Sequence, residues 1–283
     1  MGKELSDMNL GFIGSGIMAE AIVSGVLNKG LVPADSIFCA DPYTVRCEEL
    51  AKRYGVKSGT NNREAVVNAD VVFLSVKPQV LSEVSDSLHG AFRPEQLVIS
   101  ILAGVDTSTL KRALNHHSII RTMPNTPARV GEGMTVWTAT REVSRTQQET
   151  ARELLACLGE ELFVSRESDL DMATALSGTG PAYVFLFMEA LIDAGVHLGF
   201  SRRVAEKLVL QTMKGSVDFA VQSGAHLAEL RNQVTSPGGT TADALYYMEK
   251  GGLRTVLSNA VFAAFKKSRA LSTLADEEEQ RAD

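Results

Sequence analysis

In the first half of the chain the apolar residues gather into short runs at 9–13, 36–40, 71–76, 97–101, 119–122, 134–138 and 161–164, each of strand length and set off by polar or turn residues. Between these runs the spacing changes to a helical period, starting at Gly16, Val45, Asn62, Val80, Ser108 and Thr146. Strands alternating with helices across short steps predict a parallel sheet covered by helices over residues 1–165. After about Ser165 the strand-like runs stop. Long apolar-periodic segments follow at 181–198, 202–221, 240–250 and 252–271, predicting an all-α domain over 166–283. The fold class is therefore α/β plus all-α. Val209, Met213, Ser216 and Val217 share one helical face, as do Ala244, Leu245, Tyr247 and Met248. Such stripes are core, or they are buried against a second copy of the chain.

Composition narrows the function. The 45% hydrophobic content of 283 residues supplies a core without staples. With 28 basic and 34 acidic residues the net charge is −6, which exerts no pull on nucleic acid or anionic membrane and favours a small-molecule partner. Cys39, Cys47 and Cys157 are odd in number and scattered, matching neither a disulfide framework nor a zinc site, so no metal and a reducing cytoplasm are expected. The runs VVFLSV and LVISILAGV fall short of the ~20 residues of a spanning helix, and no membrane segment is expected. The start MGKELSDMNL lacks the apolar stretch of a secretory signal. Gly2 and Ser6 fit the short myristoylation pattern, but the leader is read as solvated, as is the acidic end DEEEQRAD.

The first candidate chemistry lies in GFIGSGIMAEAI, where Gly14-x-Gly16-x-x-Ala19 follows an apolar strand and opens a helix. Alone, the motif is a glycine-rich turn; in this context it is a dinucleotide fingerprint of the Rossmann-like kind. Gly14 permits the turn, Gly16 lets backbone approach a pyrophosphate, and Ala19 lets helix and strand pack closely. At the end of the second strand, CADPYTVR offers two readings. Asp41 can accept from both ribose hydroxyls, favouring NADH, whereas Arg46 can meet the 2′-phosphate of NADPH. Asp41 before Pro42 also suits a helix N-cap, and the choice stays open.

Further blocks follow in order: VKPQ (76–79), ILAGV (101–105), RTMPNTP (121–127), LSGTGPAY (176–183), TSPGGTTADAL (235–245) and GGLRTVLSNAV (251–261). Together with the glycine loop they resemble the pyrroline-5-carboxylate reductase family over residues 9–271. The resemblance implies hydride transfer from NADPH or NADH to C5 of 1-pyrroline-5-carboxylate, giving L-proline. It also implies a helical domain that joins two subunits, an active site between the domains, and a homodimer that can extend to a ring of dimers. Gly14, Ser15, Gly16, Ile17 and Met18 match the family's phosphate loop, and Asn62 its adenosine side. Val76, Lys77 and Pro78 match the nicotinamide-ribose side; Ala103, Gly104 and Asn125 border the nicotinamide. The substrate group is Val234, Ser236, Gly238, Gly239, Thr240 and Thr241, with Ser177. Asp41 stands where the family often carries Ser or Asn-Arg, which makes NADH an alternative to the family's NADPH. Ala225, Leu227, Asn232, Thr179 and Phe262 also depart from frequent family residues, none at a position assigned to chemistry.

Such a substrate asks a site to bind one carboxylate, hold a ring nitrogen, and place the carbon about 3–3.5 Å from the hydride donor. Thr240-x-x-Asp243 reads as a capping box, so a helix should begin near Thr240 with Gly238 and Gly239 baring amides for the carboxylate. Thr241 is the expected catalytic hydroxyl, directed at the ring nitrogen. Ser177, Gly178 and Thr179 are expected to line the substrate pocket, although Pro181 after them also fits a plain helix start. His89, His116, His117, His197 and His226 lie outside the matched blocks and are read as surface or structural residues, not catalysts. Lys77 either orients the ribose or is a solvated strand-end residue. Two rivals remain. One is a β-hydroxyacid dehydrogenase using Lys214 as its acid/base, without the glycines that usually precede it; the other is a nucleotide-binding paralogue without catalysis.

Overall fold

The computed structural model describes residues 3–280, with side chains to residue 271. Its strands are β1 (Leu10–Ile13), β2 (Ile37–Ala40), β3 (Lys57–Gly59), β4 (Val71–Leu74), β5 (Leu97–Ser100), β6 (Ile119–Met123), β7 (Gly133–Ala139) and β8 (Gly159–Phe163). Helices α1 (Ile17–Asn28), α2 (Thr44–Tyr54), α3 (Asn62–Val67), α4 (Leu81–Ser87), α5 (Thr107–Leu114) and α6 (Arg145–Leu155) alternate with them. Then come α7 (Asp169–Ala173), a π-helical turn (Thr174–Gly178), α8 (Gly180–His197), α9 (Arg202–Ser223), α10 (Leu227–Gln233), α11 (Thr240–Lys250) and α12 (Leu253–Gln280).

The sheet runs β3-β2-β1-β4-β5-β6-β7-β8 and is parallel throughout except for the antiparallel β6–β7 pair. Period-two alternation explains its two covered faces. On β4, Val71 and Phe73 join one core with Phe12, Val23 and Leu154, whereas Val72 and Leu74 join the other with Leu81, Val84 and Leu110. Gly11 is where a helix comes closest, since a Cβ there would lie 1.8 Å from the Ala65 carbonyl oxygen. All the expected strands form, and β3 is an addition. Its sequence, Lys-Ser-Gly, carries no apolar residue, and it is held by pairing with β2.

Two compact units result. One holds the residues up to Thr179 together with those from Ala264 onward, and the other is Gly180–Ala263. Within the first, α7 is tied to the sheet by charge, Asp171 of α7 lying 3.6 Å from the buried Arg121. Arg121 of β6 donates to Glu167 at 3.1 Å, and Glu167 accepts from the Thr107 amide and hydroxyl at 2.7 Å. The hydroxyl of Ser268, on α12, donates to Asp171 at 3.0 Å.

The second unit is helical, as expected, but its stripes are not a core. Neither α8 nor α11 buries a residue, and Val184, Phe185, Leu186, Val217 and Tyr247 are exposed. Helices α8 and α9 meet where Gly195 leaves room for Ala205. The helical stretch Asp169–His197 is long and apolar enough, by length and composition alone, to cross a membrane. Isolated acidic and small residues interrupt this stretch, so no unbroken apolar run marks it in the sequence. At the chain ends, Gly2 and 281–283 lie outside the described residues; the backbone of 276–280 continues α12.

Candidate active site

Because β1 to β6 run parallel, their C-terminal ends form one edge. Strands β2 and β4 flank β1 there, so the crevice beyond β1 is the topological switch point where doubly wound sheets bind ligands. The glycine turn fills that position. Gly14 follows β1 with φ +87° and donates its amide to the Ala40 carbonyl at 2.9 Å. A Cβ on Gly14 would lie 2.8 Å from both the Ser75 carbonyl oxygen and Val76 Cγ1, so the residue must be glycine for packing and for conformation. Ser75, which the motif reading passed over, locks the turn by donating its hydroxyl to the carbonyls of Gly14 at 2.7 Å and Ile13 at 3.0 Å.

Gly16 differs. It is the N-cap of α1, no side chain caps the helix, and an added Cβ meets nothing within 4 Å. The first turn of α1 is therefore uncapped and open at Gly16, as a pyrophosphate resting on its amides requires. Ala19 is fully buried beneath, as close helix–strand packing demands. Ile17 is exposed and Met18 half-buried at the same turn.

Asp41 and Arg46 are turned onto this loop. Asp41 is buried; its Oδ2 accepts the Ser15 amide at 2.9 Å and its Oδ1 accepts the Tyr43 amide at 3.0 Å. The N-cap position of α2 belongs to Tyr43, not Asp41. From the other side, Arg46 Nε donates to the Ser15 carbonyl at 2.6 Å. The Ser15 peptide is thus held at both ends, which fixes the direction of the following amides. Arg46 continues to Glu20 at 2.5 Å and Glu49 at 3.1 Å. Burial raises the Glu20 carboxyl, but hydrogen bonds from Arg46, Tyr54 and Arg53 outweigh it and hold the group below the usual carboxylate range.

The other predicted nucleotide residues follow successive strand ends. Asn62, half-buried, opens α3 after β3 and donates to the Ser87 hydroxyl at 3.4 Å. Val76, Lys77 and Pro78 follow β4, with Lys77 exposed and Pro78 opening a 3-10 turn. Ala103 and Gly104 follow β5; Ala103 is exposed and Gly104 has φ +75°. Asn125 follows β6 and is fully engaged: its Oδ1 accepts the Met134 amide at 2.9 Å and its Nδ2 donates to the carbonyl and hydroxyl of Ser177, both at 3.3 Å. Ser177 sits in the π-turn, closed by the Thr179 amide donating five residues back to Thr174 at 2.8 Å. The plain helix start read from LSGTGPAY is thus preceded by a one-residue bulge, a feature common at functional sites. Gly178 fits there because a Cβ would lie 2.6 Å from Met123 Cε.

Val234, Ser236, Gly238, Gly239, Thr240 and Thr241 form a second group, on the helical unit. Val234 ends α10, and Gly238 turns the chain with φ +69°. Helix α11 begins at Thr240 as expected, but the capping box does not form. Gly239 is the N-cap and no side chain caps the helix, because Thr240 already lies inside it. Gly239 is not a bare donor either; its amide bonds the Ser236 carbonyl at 3.1 Å. The reason for glycine at this position is internal, since a Cβ would meet the Ser236 hydroxyl at 2.8 Å rather than a ligand. The amides left without intrahelical acceptors are those of Thr240 and Thr241. Lys214 of α9 is exposed. His116 is buried against the Gln96 carbonyl at 2.9 Å, and His226 caps α10 through the Ala228 amide at 3.2 Å, so both are structural.

A largely parallel sheet with an uncapped glycine turn at its switch point, on a chain that also carries a helical unit with an uncapped Pro-Gly-Gly turn, defines a Rossmann-type dinucleotide-binding protein. Residues 167–271 match the family described as pyrroline-5-carboxylate reductase dimerisation, and residues 9–104 match NADP oxidoreductase, coenzyme F420-dependent. The pyrroline-5-carboxylate reductase of Synechocystis sp. is 42% identical, covering 93% of this chain and 98% of its own. That of Pseudomonas aeruginosa is 40% identical, covering 95% and 98%. The crystal structure of Plasmodium falciparum pyrroline carboxylate reductase with NADP bound aligns with a TM-score of 0.84 at 34% identity, over 95% of this chain and 99% of that one. The chain belongs to the pyrroline-5-carboxylate reductase family.

Proposed function

We propose that this protein reduces 1-pyrroline-5-carboxylate to L-proline with NADPH or NADH, residues 1–165 holding the nucleotide and 166–283 the substrate and a second subunit. The observation that carries the reading is the pairing of two uncapped helix starts on one chain, α1 after Gly14-x-Gly16 and α11 after Pro237-Gly238-Gly239, in a member of this family. Open space at Gly16 fits a dinucleotide, which Gly14 to Met18 would hold by backbone amides, with Asn62, Val76 to Pro78, Ala103, Gly104 and Asn125 along the same edge. The bound reduced nicotinamide supplies the hydride.

The chain's own part is positioning and electrostatics. The amides of Thr240 and Thr241 take the substrate carboxylate at the positive end of α11. The Thr241 hydroxyl, half-buried in the first turn, bonds the ring nitrogen, donating to the neutral imine or product amine and accepting from the iminium. Asn125 sets the π-turn that carries Ser177. Among the described residues no histidine or cysteine is assigned as a general acid, and the imine binds already protonated, held in register by the enzyme.

We assign a homodimer, able to extend to a ring of dimers, because the apolar side chains exposed on α8 and α9 fall within the residues that match the dimerisation family. The same exposure accounts for the apolar stretch Asp169–His197 without a membrane. A cytoplasmic location agrees with Cys39, Cys47 and Cys157 being free and buried, with burial pushing the thiols of Cys39 and Cys157 up to about 12. The test of the function is oxidation of NADPH or NADH dependent on added pyrroline-5-carboxylate, with L-proline identified as product. Oxidation only in the reverse sense, with a 3-hydroxy acid and oxidised nucleotide, would replace this reading with the dehydrogenase one.

A further inference from the structure

The charge cluster behind the nucleotide turn bears on which nucleotide the chain selects. Asp41 and Arg46 are the residues after β2 whose chemistry addresses the adenosine ribose and its 2′ substituent. Both are turned in part onto the phosphate loop. Asp41 spends one lone pair of each oxygen on backbone amides, and Arg46 reaches the Ser15 carbonyl, Glu20 and Glu49 with three of its donors. Glu20 is the hub of this arrangement. From the first turn of α1 it accepts from Arg46 at 2.5 Å, from Tyr54 at 3.0 Å and from Arg53.

Counted by charge, the carboxylates of Asp41, Glu20 and Glu49 face the guanidiniums of Arg46 and Arg53, so the cluster is negative overall. Glu20 stays ionised at neutral pH, since its hydrogen bonds hold it below the ordinary carboxylate range. A 2′-phosphate carries close to two negative charges near neutrality. Binding it at Arg46 would bring the dianion against the Glu20 carboxylate that shares the same guanidinium, and turning Arg46 fully onto it would release the Ser15 carbonyl that orients the phosphate turn. A ribose bearing a free 2′-hydroxyl asks for neither change.

On the reading of this chain as an NAD(P)H-dependent reductase, we propose that Glu20 sets its nucleotide selection: by holding Arg46 on the phosphate turn it withholds that cation from a 2′-phosphate, so NADH binds at least as well as NADPH. Glu20 acts through Arg46 and is a positioning residue. Its neighbour Arg53, more than half exposed, supports it without orienting the turn.

The test is calorimetric measurement of Kd for NADH and for NADPH, taken as a ratio so that general loosening of the turn cancels. The wild type is compared with Glu20→Gln, Arg46→Met and the double variant, each checked for unchanged circular dichroism. The expected result is a wild-type ratio at or in favour of NADH and a shift of about tenfold toward NADPH in Glu20→Gln. That shift should be lost when Arg46→Met is added, whereas Arg46→Met alone, which leaves the Glu20 carboxylate without its main cation, should leave the ratio unchanged or move it further toward NADH. Two results overturn the proposal: a ratio unmoved by Glu20→Gln, or a wild-type preference for NADPH. Failure of the wild type to bind either nucleotide overturns the reductase reading itself and this inference with it.

Discussion

Gly14 and Gly16 stand two residues apart in one turn and are glycine for different reasons, so replacing each by alanine should give opposite results. At Gly16 the backbone sits at φ −68° and ψ −174°, open to any L-residue, and an added Cβ meets nothing within 4 Å. Gly16→Ala should therefore leave stability unchanged or raise it by up to about 1 kcal/mol through the unfolded chain. The same methyl group occupies the space a pyrophosphate needs against the α1 amides, and nucleotide affinity should fall roughly 10–100-fold, about 1.4–2.7 kcal/mol. At Gly14 the backbone is left-handed, which costs an L-residue roughly 1–2 kcal/mol, and the Cβ would overlap the Ser75 carbonyl at 2.8 Å. With the shift in β4's end that relieves this overlap, Gly14→Ala should lose about 2–4 kcal/mol in all. At roughly 2–4 °C per kcal/mol for a chain of this order of size, its thermal midpoint should drop by ~4–16 °C. The assay is thermal unfolding without nucleotide, paired with calorimetric titration of NADH and NADPH. Wild-type affinity in Gly16→Ala, or unfolding as early as in Gly14→Ala, would refute the assignment of the open turn to phosphate.

Four further outcomes are expected. Thr241→Ala should lower kcat by roughly 10–100-fold with nucleotide Kd unchanged, and Thr241→Ser should restore most of the rate, because only the hydroxyl is asked for. Leu186→Glu places a charge on an exposed apolar residue of α8; sedimentation should show the dimer dissociating, where a monomer would be indifferent. Burial lowers the His116 pKa below its ordinary 6.5, so the unfolded chain takes up a proton that the folded one refuses. Its contribution to stability is present above about pH 6.5 and lost as pH falls through the folded pKa; melting curves between pH 7 and 5 should slope less in His116→Gln. Asp106 caps α5 by accepting the Thr109 amide at 2.7 Å, and chemical denaturation of Asp106→Ala should show a loss of about 1 kcal/mol.

The sheet was legible because its strands are runs such as Val-Val-Phe-Leu that only a two-sided core can bury. Strand β3 was not, since Lys-Ser-Gly has no apolar signal and forms only because β2 offers it an edge. The start of α11 could be read at Thr240, but the cap could not: a threonine followed by an acid three residues on looks the same whether the helix begins after it or on it. The π-turn at 174–178 was hidden because its extra residue shows only in the Thr179 to Thr174 bond, not in residue type. Helix α10 is too short to show a period, and its cap is a histidine side chain. For Asp41 and Arg46 the chemistry was visible and the direction was not. Glu20 lies 21 residues before Asp41 in sequence, and nothing in the spacing links it to Arg46.

Two uncapped helix starts on one chain are proposed to hold a nucleotide and an imino acid for direct reduction, an activity that can be followed directly. Its most direct measurement is the near-ultraviolet absorbance of NADPH or NADH on addition of 1-pyrroline-5-carboxylate to the purified protein. The predicted result is loss of absorbance that requires both protein and imine and is matched mole for mole by L-proline. Absorbance that stays constant with both nucleotides, in protein shown by calorimetry to bind them, would contradict it.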